Sequence, residues 1–162
     1  MTLSGHQYFH VGLMWKLIIL ITMPYHSRIF PEINVVYFFH YGKMEADEAL
    51  KQFSDMFADP EYRVGMNLIR DTREAILPPE WDFSYFHRPL PQQVQDYWKK
   101  VSDCKLAWIH KGGGQYKIIH QAILSQRMSH NNNVERYACR TMEEVKIRLD
   151  IPLDFDISLP SS

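Results

Sequence analysis

The stretch Gly65-Met66-Asn67-Leu68-Ile69-Arg70-Asp71-Thr72-Arg73 constrains the fold of this chain more than any other. Its first half is a short apolar run, and it then breaks abruptly into charge. A buried strand that surfaces at its C-terminal edge reads this way. The strand is expected over Met66 to Arg70, with Asp71, Thr72 and Arg73 at its exit. In open α/β sheets, ligands and partners sit at that edge.

A second run, Leu106-Ala107-Trp108-Ile109, is apolar on both alternating faces, as a central parallel strand must be. Such a sheet needs helices over it, and the helical spacing is present. Ala46, Ala49, Leu50, Phe53, Met56 and Phe57 recur with a helical period, with Lys51, Gln52 and Asp55 opposite. Asp59-Pro60 stops that helix, because the residue before proline disfavours helical backbone. Pro91 fits the first turn of a second helix whose apolar face is Val94, Tyr97, Trp98 and Val101. Gly112-Gly113-Gly114 leads into a third, with Tyr116, Ile119, Ala122 and Ile123 inward, closed by a turn at Asn131-Asn132-Asn133. Val134 to Cys139 is another strand. Thr141-Met142-Glu143-Glu144 then opens a last helix with a capping box, in which Met142, Val145 and Leu149 face the core. Ahead of all these, His26 to Phe30 and Val35 to Phe39 form a hairpin about Pro31-Glu32-Ile33-Asn34. The order β-β-α-β-α-β-α-β-α predicts an α/β fold with a largely parallel central sheet and helices packed on it.

Composition bounds the rest. The 162 residues are 46% hydrophobic and 23% charged, which suits a single domain with a real core. A net charge of −1 supplies no basic field for nucleic acid. Cys104 and Cys139 lie in apolar runs and read as reduced core thiols, so a cytoplasmic protein is expected. Residues 1–22 read as an uncertain N-terminal extension. Its run Leu17-Ile18-Ile19-Leu20-Ile21 is far short of the ~20 residues of a membrane span and lacks a small-residue cleavage site. It reads either as an extra strand or as sequence upstream of a start at Met23. The domain is expected over residues 23–150, with a frayed tail over 151–162.

Three local signatures then carry a resemblance. They are Gly42-Lys43-Met44-Glu45-Ala46-Asp47-Glu48, Asp59-Pro60-Glu61-Tyr62-Arg63-Val64-Gly65-Met66 with Asp71-Thr72-Arg73 behind it, and Val134-Glu135-Arg136-Tyr137 through Thr141-Met142-Glu143-Glu144-Val145. In this order the chain resembles the STAS-like proteins, specifically their SpoIIAA-like branch, over roughly residues 26–150. The resemblance implies a compact regulatory or binding module without enzymatic activity. It also implies a regulatory phosphorylation site after the third strand, which makes Thr72 the candidate. Arg73 and Glu74 stand where the family has small residues.

The candidate binding residues are Asp71, Thr72 and Arg73 at the strand exit, His110 after the central strand, and Trp81, Phe83 and Phe86 in an aromatic, proline-punctuated segment over 81–91. That segment holds too many rings for a solvated loop. It is either packed over the sheet or a lid and partner surface beside Asp71. The glycines at 112–114 beside Lys111 could cradle an anion, but the Gly-Lys-Ser/Thr of a phosphate loop does not follow, so a flexible loop is the expectation. The eight histidines show metal-ligand spacing only at His6 and His10, so neither a metal nor a cofactor is expected. The expected partner is a protein, a second copy of the chain paired through the hairpin edge, or a small apolar or anionic ligand. The alternative is a small-molecule or lipid-binding protein, or an enzyme, with a pocket under residues 81–91.

Overall fold

The computed structural model describes residues 25–45, 48–89, 91–129 and 133–159. The readings made for residues 1–22, for Ala46, for the Asn131-Asn132 turn and for the last three residues lie outside these.

The hairpin forms as its sequence dictates. Strand β1 (Tyr25–Phe30) and strand β2 (Val35–Lys43) are joined by a 3-10 turn at Pro31–Ile33. Proline fixes the first turn residue, and Asn34 closes it in the left-handed region at φ 57°. Helix α1 (Glu48–Ala58) follows and stops just ahead of Asp59-Pro60. Gly65, at φ 88°, turns the chain into β3 (Asn67–Ile76). A short helix α2 (Phe83–Phe86) is capped by Asp82, whose carboxylate accepts from Tyr85 N at 2.8 Å. Helix α3 (Gln92–Lys100), strand β4 (Cys104–Ile109), helix α4 (Gly113–Ser129), strand β5 (Val134–Cys139) and helix α5 (Met142–Arg148) complete the order.

The five strands stand in sequence order, and the sheet is mixed. β1 runs antiparallel to β2, whereas β2, β3, β4 and β5 pair in parallel across helical crossovers. Both faces are covered. Over one face, Phe53 and Met56 of α1, Trp98 of α3, and Ile119 and Ile123 of α4 pack on Val36, Phe38, Leu68, Leu106 and Trp108. Over the other, Val145 and Leu149 of α5 pack on Tyr37, Ile69, Ala107 and Ile109.

Four details depart from the sequence reading. β3 does not end at Arg70 but runs on to Ile76, because β2 continues beside it, past a register shift between Phe39 and Tyr41. Gln52, assigned to the outer face of α1, is fully buried, and Tyr116, assigned inward, is exposed. The residue that points inward there is Gln115. The tail is packed rather than frayed over its described residues: Ile151 and Ile157 are buried in the second core, and Phe155 meets Phe30 edge-on at 5.8 Å.

The α5 cap forms almost as read. Thr141 Oγ1 accepts from Glu144 N at 3.2 Å, while the Glu144 carboxylate reaches one residue further back, to Arg140 N at 2.6 Å. Thr141→Ala is expected to cost about 1 kcal/mol in urea unfolding.

Candidate functional site

The strand-exit triplet is divided by the pleat. Asp71 and Arg73 fall on the α5 face of β3 and Thr72 on the α1 face, since alternate residues point to opposite sides. Asp71 is fully buried and fully engaged. Its carboxylate takes Arg73 Nη2 at 2.7 Å, Arg73 Nε at 3.0 Å, Arg73 N at 3.2 Å and the Tyr37 hydroxyl at 3.2 Å. The adjoining carboxylate and burial both push the Tyr37 hydroxyl up, burial more strongly. The Asp71 hydrogen bond likewise raises Arg73. The Asp71 carboxylate is thereby saturated, while the Arg73 side chain stays 41% exposed.

Thr72 is also fully buried, and its hydroxyl donates to Ile109 O at 2.8 Å. A phosphoryl group on it would require β3 and β4 to part at that point. Next to it, Gln115 joins the start of α4 to β3: its amide donates to Thr72 O at 2.9 Å and Ala75 O at 2.8 Å and accepts from Lys111 N at 3.0 Å. Gln115→Leu removes all three bonds in a buried setting, and a loss of about 2 kcal/mol in unfolding free energy is expected.

His110 is buried at the same end of β4, and its Nδ1 accepts from Gly112 N at 3.0 Å. Burial, reinforced by Arg140, lowers its pKa, with Glu144 acting in opposition. The ring therefore serves the turn that Gly112, at φ 95°, makes into α4. In the aromatic segment, Trp81 is buried and joins the first core, with Phe86 at 6.0 Å and Tyr85 stacked at 5.7 Å. Phe83 stacks instead on His87 at 5.3 Å. Thr72 thus lies beside the turn that holds His110, joined to it through Ile109 O and Gln115, while Trp81 and Phe86 belong to the aromatic segment over the first core. Among the described residues, no group of three His, Cys, Asp or Glu side chains is placed to hold a metal, and no helix is long and apolar enough to cross a membrane.

The residues that do come together lie one position earlier in β3. Phe38, Arg70, Trp108 and Ala138 form one row across β2, β3, β4 and β5. The row faces α1, so the Arg70 side chain enters the apolar core, where it is only 6% exposed. Its guanidinium carbon lies 5.0 Å from the Trp108 ring, 5.8 Å from Phe53 and 6.0 Å from Phe38. Its Nε has no hydrogen-bond partner, and none of the ion pairs among the described residues involves it. Burial lowers its pKa to about 10, partly opposed by Glu48, so it stays charged at neutral pH.

More polar atoms surround the guanidinium. His40, two residues after Phe38, and Gln52, from the inner face of α1, are both fully buried. Gln52 Nε2 lies 3.4 Å from His40 Nδ1. His40 Nε2, Gln52 Oε1 and Trp108 Nε1 are buried without partners. Burial and the Arg70 charge bring the His40 pKa down to about 3, so the ring is neutral.

A second buried arginine shows what satisfaction looks like in the same core. Arg136 is 2% exposed and lies 5.3 Å over Trp98, but its Nε donates to Gln126 Oε1 at 2.9 Å and its Nη1 to Val134 O at 2.8 Å. Arg70 has rings where Arg136 has oxygens. A cation–π contact contributes about 0.5–2 kcal/mol, whereas the desolvation of an ion costs several. Three rings offset only part of that cost.

The sequence did hold a signal for this site. In a sheet covered on both faces, an arginine inside a strand has no solvent to reach, and Arg70 shares its face with Leu68. Gln52 follows Glu48 by four residues and precedes Met56 by four, which puts all three on one helical stripe.

Compared with known proteins, the chain matches no family model, no curated protein and no solved structure.

Proposed function

We propose that this chain is a non-enzymatic, STAS-like binding module of the cytoplasm that takes a small anionic ligand against Arg70. One observation carries the reading: a guanidinium charge is held in the core among three aromatic rings, with its Nε unpartnered. The buried Glu48 carboxylate offsets only part of the cost of burying that charge, so an anion arriving there finds a desolvated cation in a medium that screens little. Cys104 and Cys139 are free, buried and on opposite faces of the sheet, which supports a reducing compartment.

Phe53 and Gln52 of α1 lie over this part of the sheet, so an anion there is shielded from solvent. Affinity is therefore expected to depend weakly on ionic strength, unlike that of a surface cation. The test is thermal unfolding with a panel of small carboxylates, phosphate and sulfate, on wild type and on Arg70→Met. At least one anion is expected to raise the wild-type midpoint by several degrees and leave that of Arg70→Met unmoved. A shift of equal size in both proteins would exclude Arg70 as the site.

A further inference from the structure

The two edges of the sheet are finished differently. His110 N donates to Cys139 O, so Glu135, Tyr137 and Cys139 of β5 turn their backbone groups towards β4, and Val134, Arg136 and Ala138 turn theirs outwards. Two of those outward carbonyls are taken by side chains. Arg136 Nη1 donates to Val134 O and Arg127 Nη2 to Arg136 O, both at 2.8 Å. Guanidinium groups thus hold the places that the N–H groups of an added strand would need.

The β1 edge is open. Asn67 N donates to Asn34 O, which sets Val36 and Phe38 of β2 towards β3 and leaves Val35, Tyr37 and Phe39 facing β1. Through the hairpin register, His26, Arg28 and Phe30 face β2 in turn, and Tyr25, Ser27 and Ile29 point their N–H and C=O groups outwards. Among the described residues no hydrogen bond reaches these outward groups, and Ser27 is exposed.

Behind this edge a shallow cleft lies between β1 and α1. Ile29, Val36, Phe38 and Met56 line it with apolar surface, and Asp55 and Asp59 add two carboxylates. Asp55 Oδ2 accepts from the Tyr25 hydroxyl at 2.6 Å and from Lys51 Nζ at 2.9 Å, and Asp59 Oδ1 accepts from Glu61 N at 2.9 Å. Among the described residues, Asp55 Oδ1 and Asp59 Oδ2 accept nothing. An apolar lining beside open carboxylate oxygens suits lysine or arginine, whose stem is apolar and whose head is charged. We infer that β1 is the docking edge for an extended, basic segment of a partner protein. The segment adds as a sixth strand, bonds to the outward backbone of Ser27 and Ile29, and lays a lysine or arginine stem into the cleft with its head on Asp55 and Asp59. A second copy of β1 does not fit. On the cleft side β1 carries Tyr25, Ser27 and Ile29, with no cation to offer, and an antiparallel twofold pairing would set both copies' Asp55 and Asp59 on the same side of the joint.

The closing experiment is fluorescence anisotropy of the full chain with three labelled short peptides: alternating threonine and lysine, alternating threonine and glutamate, and the lysine peptide methylated on every backbone nitrogen. Wild type is expected to bind the plain lysine peptide about tenfold more tightly than either of the others, the margin of one or two hydrogen bonds or ion pairs. Ser27→Pro removes an outward N–H while leaving the ladder to β2 intact, and is expected to weaken the lysine peptide about tenfold. The double variant Asp55→Asn with Asp59→Asn lies outside the hairpin and is expected to weaken it by a similar factor, a loss that added salt reproduces in wild type. Equal binding of the lysine and glutamate peptides would overturn the basic partner. Undiminished binding of the methylated peptide would overturn strand addition, and no binding of any peptide would overturn the docking edge. A wild-type dimer in sedimentation that Ser27→Pro returns to monomer would give the edge to a second copy instead.

Discussion

Arg70→Met is expected to make the ligand-free protein more stable, by about 1–4 kcal/mol in urea unfolding with an unchanged slope. Methionine fills a similar length of the cleft beside Phe38, Phe53 and Trp108, and its thioether suits aromatic neighbours. The substitution removes a desolvated charge and its unpartnered Nε, and the lost cation–π contacts and the lost attraction to Glu48 return only part of the gain. A residue that weakens its own fold is kept for another reason, so a stabilised, ligand-blind variant would be the mark of a functional site. A loss of several kcal/mol would instead make Arg70 a structural residue. The matching change at Arg136 supplies the contrast. Arg136→Met strands Gln126 Oε1 and Val134 O, so it is expected to destabilise.

The largest expected effect on stability comes from His40 in acid. The groups around it are Arg70 from β3, Gln52 and Glu48 from α1, and the Tyr25 ring from β1 at 6.2 Å. Its folded pKa is lowered to about 3 from 6.5, so below pH 6.5 the unfolded chain takes up a proton that the folded chain refuses. Stability is therefore complete above pH 6.5 and is lost as pH falls, until the folded ring titrates near 3. One proton is worth about 1.4 kcal/mol per pH unit, so the loss is about 2 kcal/mol by pH 5 and about 5 kcal/mol across the window. His40→Gln lacks the titrating ring, and its unfolding free energy is expected to fall less by that amount between pH 6.5 and pH 5. Parallel pH profiles for the two proteins would show that His40 is protonated in the fold.

Most of the architecture was legible because local chemistry and tertiary demand agree. Asp59-Pro60 ends α1, Thr141 caps α5, and Val134–Cys139 has the length and composition of the strand it forms. The exit of β3 was misplaced because charge was taken for solvent. Asp71 is buried although charged, since Arg73, two residues on, follows it to the same face and neutralises it. That pairing depends on β2 running on beside β3 and bringing Tyr37 over Asp71, which no local pattern encodes. Arg70 and Gln52 illustrate a related point. The sequence places Arg70 as the last residue of the strand, where alternation sets it on the face of Leu68, and only the sheet register sets Phe38 and Trp108 on either side. Gln52 is polar, yet its angle around the helix places it on the buried stripe of Glu48 and Met56.

The seal on the α5 face has a consequence for how the chain is made. Phe155 packs on Phe30, and Arg28 Nη1 donates to Ser158 O at 2.9 Å, a contact 130 residues apart in sequence. During synthesis the face of β1 and β2 that these residues cover must wait, open, until Ser158 has left the ribosome. The other face matures earlier, because α1 follows β2 directly and needs no distant partner to begin packing. Folding is thus expected in two stages, with the long-range closure last and slowest, and the half-covered sheet is the species most exposed to aggregation in between.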